Sequence, residues 1–178
     1  MTSGQRYLAK NQFTFPEFYG SYYRSIAAKN PQWSEAVVHD VELELWDTFP
    51  LIKEWQARQI EFYRRHGYVD TYLGFRRHAP LSQNQIINTP IQGTASHLLF
   101  DGMCRISDGI ERLGLRTRMF VQVHDSVLFY LVGEEANEVS SLIRVGLEQK
   151  RFDWEGDVEM RVEAKMGINW GTMEGIEL

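Results

Sequence analysis

The stretch FVQVHDSVLFYL (120–131) places His124, Asp125 and Ser126 between two apolar runs rich in strand-forming residues. Such residues on both sides of a short polar break predict a hairpin over 118–132 with Asp125 at its tip. A carboxylate at the end of a rigid hairpin is a hard oxygen ligand. It suits Mg²⁺, which takes oxygen donors and usually keeps waters and substrate phosphates. Aspartate also favours turns for local reasons, because its side chain bonds the nearby backbone. The His-Asp pair framed by VQV and VLF argues for a chemical role beside that local one.

Two further patterns bear on charged ligands. In RYLAK, Arg6 and Lys10 are four residues apart and share one helix face. Two such cations could clamp a polyphosphate, Arg as a planar fork and Lys as a point charge. Phe13, Phe15, Phe18 and Tyr19 follow, and an aromatic beside a phosphate clamp can stack on a base. In NTPIQGTAS (88–96), Asn88 and Gln92 could read acceptors shared by all base pairs in the minor groove. Gly93 would allow a close backbone approach there. Each pattern also has a plain reading: an exposed basic helix end, core aromatics, a polar helix start.

Several elements must position these residues. Residues 5–28 read as a helix that Pro16 kinks, with Asn30-Pro31 ending it. Ser34 suits an N-cap for a helix over about 35–47. A second helix follows over 51–66, with Leu51, Ile52, Trp55, Ile60, Phe62 and Tyr63 as its apolar positions, and Gly67 stops it. GYVDTYLGFRRHAP (67–80) reads as a hairpin turning near Gly74. Residues 81–88 read as a polar loop. Thr89-Pro90 then opens a long helix over about 90–113 that buries Ile91, Leu98, Leu99, Met103 and Ile106. Residues 133–150 form an amphipathic helix with Val139, Leu142, Ile143 and Leu147 at helical spacing, and a final strand spans about 158–166. The expected class is α+β: a helix-rich part plus a piece of an antiparallel sheet, divided at about residue 66.

Composition narrows the setting. With 43% hydrophobic and 13% aromatic residues among 178, a packed core is expected rather than disorder. The lone Cys104 excludes an internal disulfide and a cysteine zinc site. No apolar run nears the roughly 20 residues of a membrane helix, and the start lacks a signal-peptide core, so a cytoplasmic setting is expected. The net charge of −5, taken alone, argues against nucleic-acid binding, which usually leaves a basic footprint, but net charge averages over faces. The five arginines within 58–78 form a local basic patch compatible with one charged ligand.

Taken together and in order, these segments resemble the C-terminal part of a family A DNA polymerase, the group of bacterial DNA polymerase I and many phage replicases. RYLAKNQFTFPEFYG resembles the fingers-helix motif Arg-x3-Lys…Phe…Tyr-Gly. GYVDTYLGFRRHAP resembles the family's Gly-Tyr-Val-Glu-Thr hairpin, and INTPIQGTAS its Asn-x-Pro-x-Gln-Gly-Thr-Ala segment. VQVHDSVLF resembles the palm hairpin, and VEAKMGINW the closing Val-Glu-Val-Gly-x-x-x-Trp. The resemblance implies that Arg6 and Lys10 hold the phosphates of an incoming dNTP, Lys10 also assisting catalysis. It implies that Phe15 (or Phe13) stacks on the nucleotide and Tyr19 guards the insertion site. Asn88, Gln92, Gln122 and His124 would contact primer-template DNA, with Arg76 and Arg77 as backbone contacts. Asp125 would bind two Mg²⁺ ions.

Four departures stand out. The fingers motif is one residue long between Lys10 and Tyr19 and contains Pro16. Ser126 stands where many members have Glu, and Asn84 where familiar bacterial enzymes have an arginine. The family's other metal-binding aspartate lies in a palm segment before the fingers helix, near which this chain begins. One carboxylate cannot clamp two dications. The expectation is therefore a piece of a polymerase, either cut from a longer chain or the smaller subunit of a split one, needing an N-terminal polymerase fragment as partner. The ordinary start Met1-Thr-Ser fits that, and a phage-encoded enzyme would work in the host cytoplasm. The rival readings are a His-Asp metal phosphohydrolase and a non-catalytic DNA-binding or scaffold subunit or remnant.

Overall fold

A computed structural model describes residues 2–178; Met1, on which the ordinary-start reading partly rests, lies outside the described residues. Thr2 and Gln5 cap each other's backbone N–H groups, which opens helix α1 (Ser3–Ala9). The helix does not continue unbroken to residue 28. Lys10–Thr14 form a π turn, in which the Phe15 N–H reaches back five residues to the Lys10 carbonyl. A short helix α2 (Phe15–Phe18) follows with Pro16 in its first turn, and Gly20 at φ 88° ends it before α3 (Tyr23–Lys29). Pro16 has no N–H with which to carry the α-helical ladder through this region. A π turn is how a helix lodges one extra residue, which is the length departure between Lys10 and Tyr19.

Ser34 caps α4 (Glu35–Thr48) by accepting from the Val37 N–H at 3.3 Å, as its sequence predicts. Pro50 opens α5 (Pro50–His66), and Gly67, left-handed at φ 74°, closes it. The apolar spacing on α5 misleads in its first half. Leu51 is 72% exposed, whereas Gln56 is buried. The Gln56 amide donates to the Glu17 and Phe18 carbonyls at 3.3 and 3.0 Å. These carbonyls lie at the end of α2, where the Glu17 carbonyl also accepts from the Gly20 N–H at 3.0 Å.

Strands β1 (Tyr68–Asp70) and β2 (Arg76–His78) pair antiparallel, Tyr68 opposite His78, around a turn with Gly74 at φ 88°. Helix α6 (Gln83–Arg112) then begins well before the expected Pro90, which lies inside it. Residues 81–88 are thus a helix start rather than a loop. Ser82 and Gln85 cap one another, and Ile86 and Ile87 are buried, so the first turns have both a cap and a core face. Ile91, expected in the core, is 47% exposed, while Ile106 and Ile110 are buried.

The chain forms two compact units, one through Thr94 and one over Ala95–Leu178, the division falling inside α6. In the second unit, β3 (Arg118–Val123) and β4 (Ser126–Tyr130) form an antiparallel hairpin. The expected helix over 133–150 is a 3₁₀ turn, then α7 (Ala136–Ile143), then a π turn at Arg144–Glu148. Leu142 and Leu147 of this segment pack where Gly109 and Gly102 of α6 leave room. The last strand is shorter than expected: β5 (Ala164–Met166) pairs with β6 (Glu174–Ile176). Upstream of it, the Val162 N–H bonds the Glu148 carboxylate at 3.0 Å instead of a neighbouring strand.

Candidate functional site

The register Val123 opposite Ser126 leaves His124 and Asp125 as a two-residue tip. His124 sits at φ 56°, and among the described residues it alone of the non-glycines has positive φ. That region costs a side-chain-bearing residue energy and recurs where structure serves a site. The Gln122 side-chain amide donates to the His124 carbonyl, so two residues predicted to touch DNA brace the turn. Asp125 is exposed. Its neighbour in β4 is Ser126, so no second acid shares the tip. A register shift between Met119 and Val121 adds twist to the strand that leads there.

The base of the hairpin is pinned from outside it. Glu135 accepts from the Arg116 and Thr117 N–H groups at 2.9 and 2.8 Å and from the Thr117 hydroxyl at 2.7 Å. Thr117 is fully buried, and its oxygen in turn accepts from the Val132 N–H at 3.1 Å. One carboxylate thereby ties the residues that flank both strands. The Arg116 N–H, then the Thr117 hydroxyl, hold Glu135 far below the usual range, at about 2. Sequence reasoning missed this pair, since nothing in GEEANE separates Glu135 from Glu134.

In the first unit the structure gathers the predicted nucleotide residues into one run of contacts. The Lys10 ammonium lies 5.0 Å from the Phe15 ring centroid. Phe15 and Tyr19 are 6.0 Å apart between centroids. The Gln92 amide donates to the Tyr19 hydroxyl at 2.8 Å. The π turn makes this possible, because it sets residue 15 against residue 10 rather than residue 14. Arg6 lies one turn before Lys10 and is exposed, as Lys10 is. Asn88 is half-buried, and its Oδ1 has no hydrogen-bond partner among the described residues.

Other predicted residues are occupied elsewhere. Arg76 forks onto Asp70 at 2.8 and 2.9 Å, and its guanidinium lies 3.6 Å over the Tyr68 ring centroid. This hydrogen bonding lowers the Asp70 carboxyl. Arg77 bonds the Thr89 hydroxyl at 3.1 Å. Gly93 has a packing reason to be small: a Cβ there would lie 2.5 Å from the Thr71 methyl of the β1–β2 turn.

The donor chemistry fits a hard dication in part. Asp125 offers an exposed oxygen ligand on a braced tip. Among the described residues no three His, Cys, Asp or Glu side chains gather where they could hold a metal ion. No helix among them is long and apolar enough to cross a membrane.

Comparison with known proteins now bears on these arrangements. The chain is 31% identical over 144 residues to DNA polymerase I of Chloroflexus aurantiacus, covering 75% of this chain and 15% of that one. It is 29% identical over 141 residues to the thermostable DNA polymerase I of Thermus thermophilus, covering 73% and 16%. It thus spans about a sixth of the curated relatives it matches. Its fold matches the polymerase domain of Pol1 from M. smegmatis, solved with DNA primer-template and dNTP. There the TM-score is 0.73 at 27% identity, over 82% of this chain and 27% of that one. The family model described as DNA polymerase family A matches residues 1–172, and the chain accordingly belongs to DNA polymerase family A.

Proposed function

We propose that this chain is the fingers-and-palm portion of a template-directed DNA polymerase, adding dNTPs to a primer 3′ end together with a partner polypeptide that supplies the other palm carboxylate. The observation that carries the reading is Asp125, an exposed carboxylate alone at the tip of a braced hairpin in a chain of this family. The likeness to a polymerase domain solved with primer-template and dNTP supports the same ligands here.

Arg6 and Lys10 would hold the triphosphate. Phe15 would stack beside the base and sugar, favoured over Phe13 because Lys10 and Tyr19 both border its ring. Tyr19, held by Gln92, would close the insertion pocket. Asn88, Gln122 and His124 would meet primer and template. For Arg76 to touch a phosphate it would have to leave Asp70, so we assign it chiefly to holding β1–β2. Asp125 would hold one side of a pair of Mg²⁺ ions, which when bound supply charge neutralisation and nucleophile activation. A cytoplasmic setting suits this chemistry.

The test is primer extension with Mg²⁺ and dNTPs by the chain alone, by a candidate N-terminal polypeptide alone, and by both. Extension is expected only from the mixture. Robust synthesis by the chain alone would overturn the partner requirement.

A further inference from the structure

Helix α2 begins at Phe15 and is capped by Tyr19, and Glu17 lies midway between them. Glu17 is fully buried. Its Oε2 accepts from the Trp46 indole N–H at 3.1 Å, and its Oε1 is buried with no hydrogen-bond partner. A second carboxylate, Glu42, is buried at 9% exposure one helical turn before Trp46 on α4, on the face that Trp46 turns toward Glu17. Lys53 of α5, whose ammonium sits 4.3 Å from the Trp46 ring centroid, pulls the other way. Gln56 of α5 reaches only the backbone carbonyls of Glu17 and Phe18. Phe18 anchors the same helix by packing on Trp46 and Phe49, with centroids 6.0 and 6.2 Å away.

Two adjacent buried carboxylates cannot both ionise cheaply; one holds its proton and donates it to the other. Burial first, and then the Glu42 charge, push Glu17 up to about 7 against the pull of the Trp46 N–H and Lys53. A proton on the Glu17 carboxyl would give its orphaned oxygen a role as donor, with Glu42 the buried acceptor one turn from Trp46, removing the cost of an unsatisfied buried acceptor. We infer that Glu17 and Glu42 share a single proton, and that this proton fastens α2 to α4 and makes Glu17 a positioning residue for Phe15 and Tyr19. The positioning role rests on the nucleotide-binding reading of those two residues; the shared proton does not.

The sign of the pH effect follows from the raised value. The folded chain keeps a proton that the unfolded chain releases at about 4.5, so stability from this pair is full below that and is lost as pH rises to about 7. Loss of the proton would loosen α2 and carry Phe15 and Tyr19 with it.

The first arm of the test uses the isolated chain. Carboxyl ¹³C NMR should find one glutamate titrating near neutral pH in the wild type. That signal should vanish in Glu17→Gln and move toward the ordinary carboxylate range in Glu42→Gln. The thermal midpoint of Glu17→Gln minus that of wild type should grow as pH rises from about 4.5 to 7. A wild-type chain whose glutamates all titrate below about 5.5 overturns the shared proton, and that result needs no variant to fold. The second arm uses the complex with the N-terminal polypeptide. The dNTP KM of wild type relative to Glu17→Gln should rise several-fold between pH 6 and 8, with the kcat ratio changing less. A pH-independent KM ratio overturns the positioning role. A complex without synthesis would instead count against the polymerase reading, while the NMR arm still decides the shared proton.

Discussion

At the residue scale, the site depends on a few side chains whose surroundings differ in kind. Asp125 is exposed, solitary and held by a turn whose first residue is in a conformation disfavoured for its type. In the reconstituted complex Asp125→Asn keeps the shape of the tip and removes its charge. Losing a metal-bound charge costs several kcal/mol of transition-state stabilisation, so kcat should fall roughly 10³-fold or more. Primer-template affinity, measured by anisotropy, should change little, and near-normal turnover would rule out the metal assignment. Lys10 is an exposed cation resting against Phe15. Lys10→Ala should remove one charge-assisted contact of about 1.5–3 kcal/mol. That corresponds to a loss of roughly 10- to 100-fold in kcat/KM for dNTP. Steady-state kinetics that match wild type would exclude the phosphate role.

At the scale of elements, the hairpin and the long helix each have a point where one atom decides the packing. Thr117 is buried and bridges Glu135 to Val132 at the hairpin base. Thr117→Val strips the Val132 N–H of its acceptor and takes one of two donors from a Glu135 oxygen, and should cost about 1–3 kcal/mol in chemical denaturation. Glu135 lies below its ordinary value, so the stability it confers is full above about 4.5 and lost as pH falls toward about 2. Glu135→Gln should be less stable than wild type at neutral pH and lose stability less steeply over that acid window, as followed by circular dichroism. On α6, a Cβ at Gly102 would meet the Gly146 carbonyl oxygen at 2.8 Å. Backbone cannot swing aside as a side chain does, so Gly102→Ala should destabilise by about 1–3 kcal/mol. An unchanged midpoint would mean that the π turn shifts freely.

At the scale of the whole molecule, large apolar side chains remain exposed in both units, among them Leu51 at 72% and Trp170 at 62%. If a partner polypeptide completes the palm, mixing the two should raise the thermal midpoint of this chain in a concentration-dependent way. An unshifted midpoint at saturating partner would count against the split reading. Much of this protein is legible from its residues in order. Capping and stopping chemistry at Ser34, Pro50 and Gly67 marks helix ends because those effects are local. Strand-forming residues around His124-Asp125 mark the hairpin for the same reason. The family itself is carried by five short motifs. The tertiary structure decided what depends on neighbours distant in sequence. Pro90 sits inside a helix because Ile86 and Ile87 have a core to enter. Arg76 is engaged because Asp70 faces it across a strand pair. Glu17 is pushed up to about 7 because packing takes it out of water first and sets Glu42 of α4 near it second. Residue types alone set what each side chain can do; burial and partner distance, which exist only once the chain is packed, set its charge and its freedom.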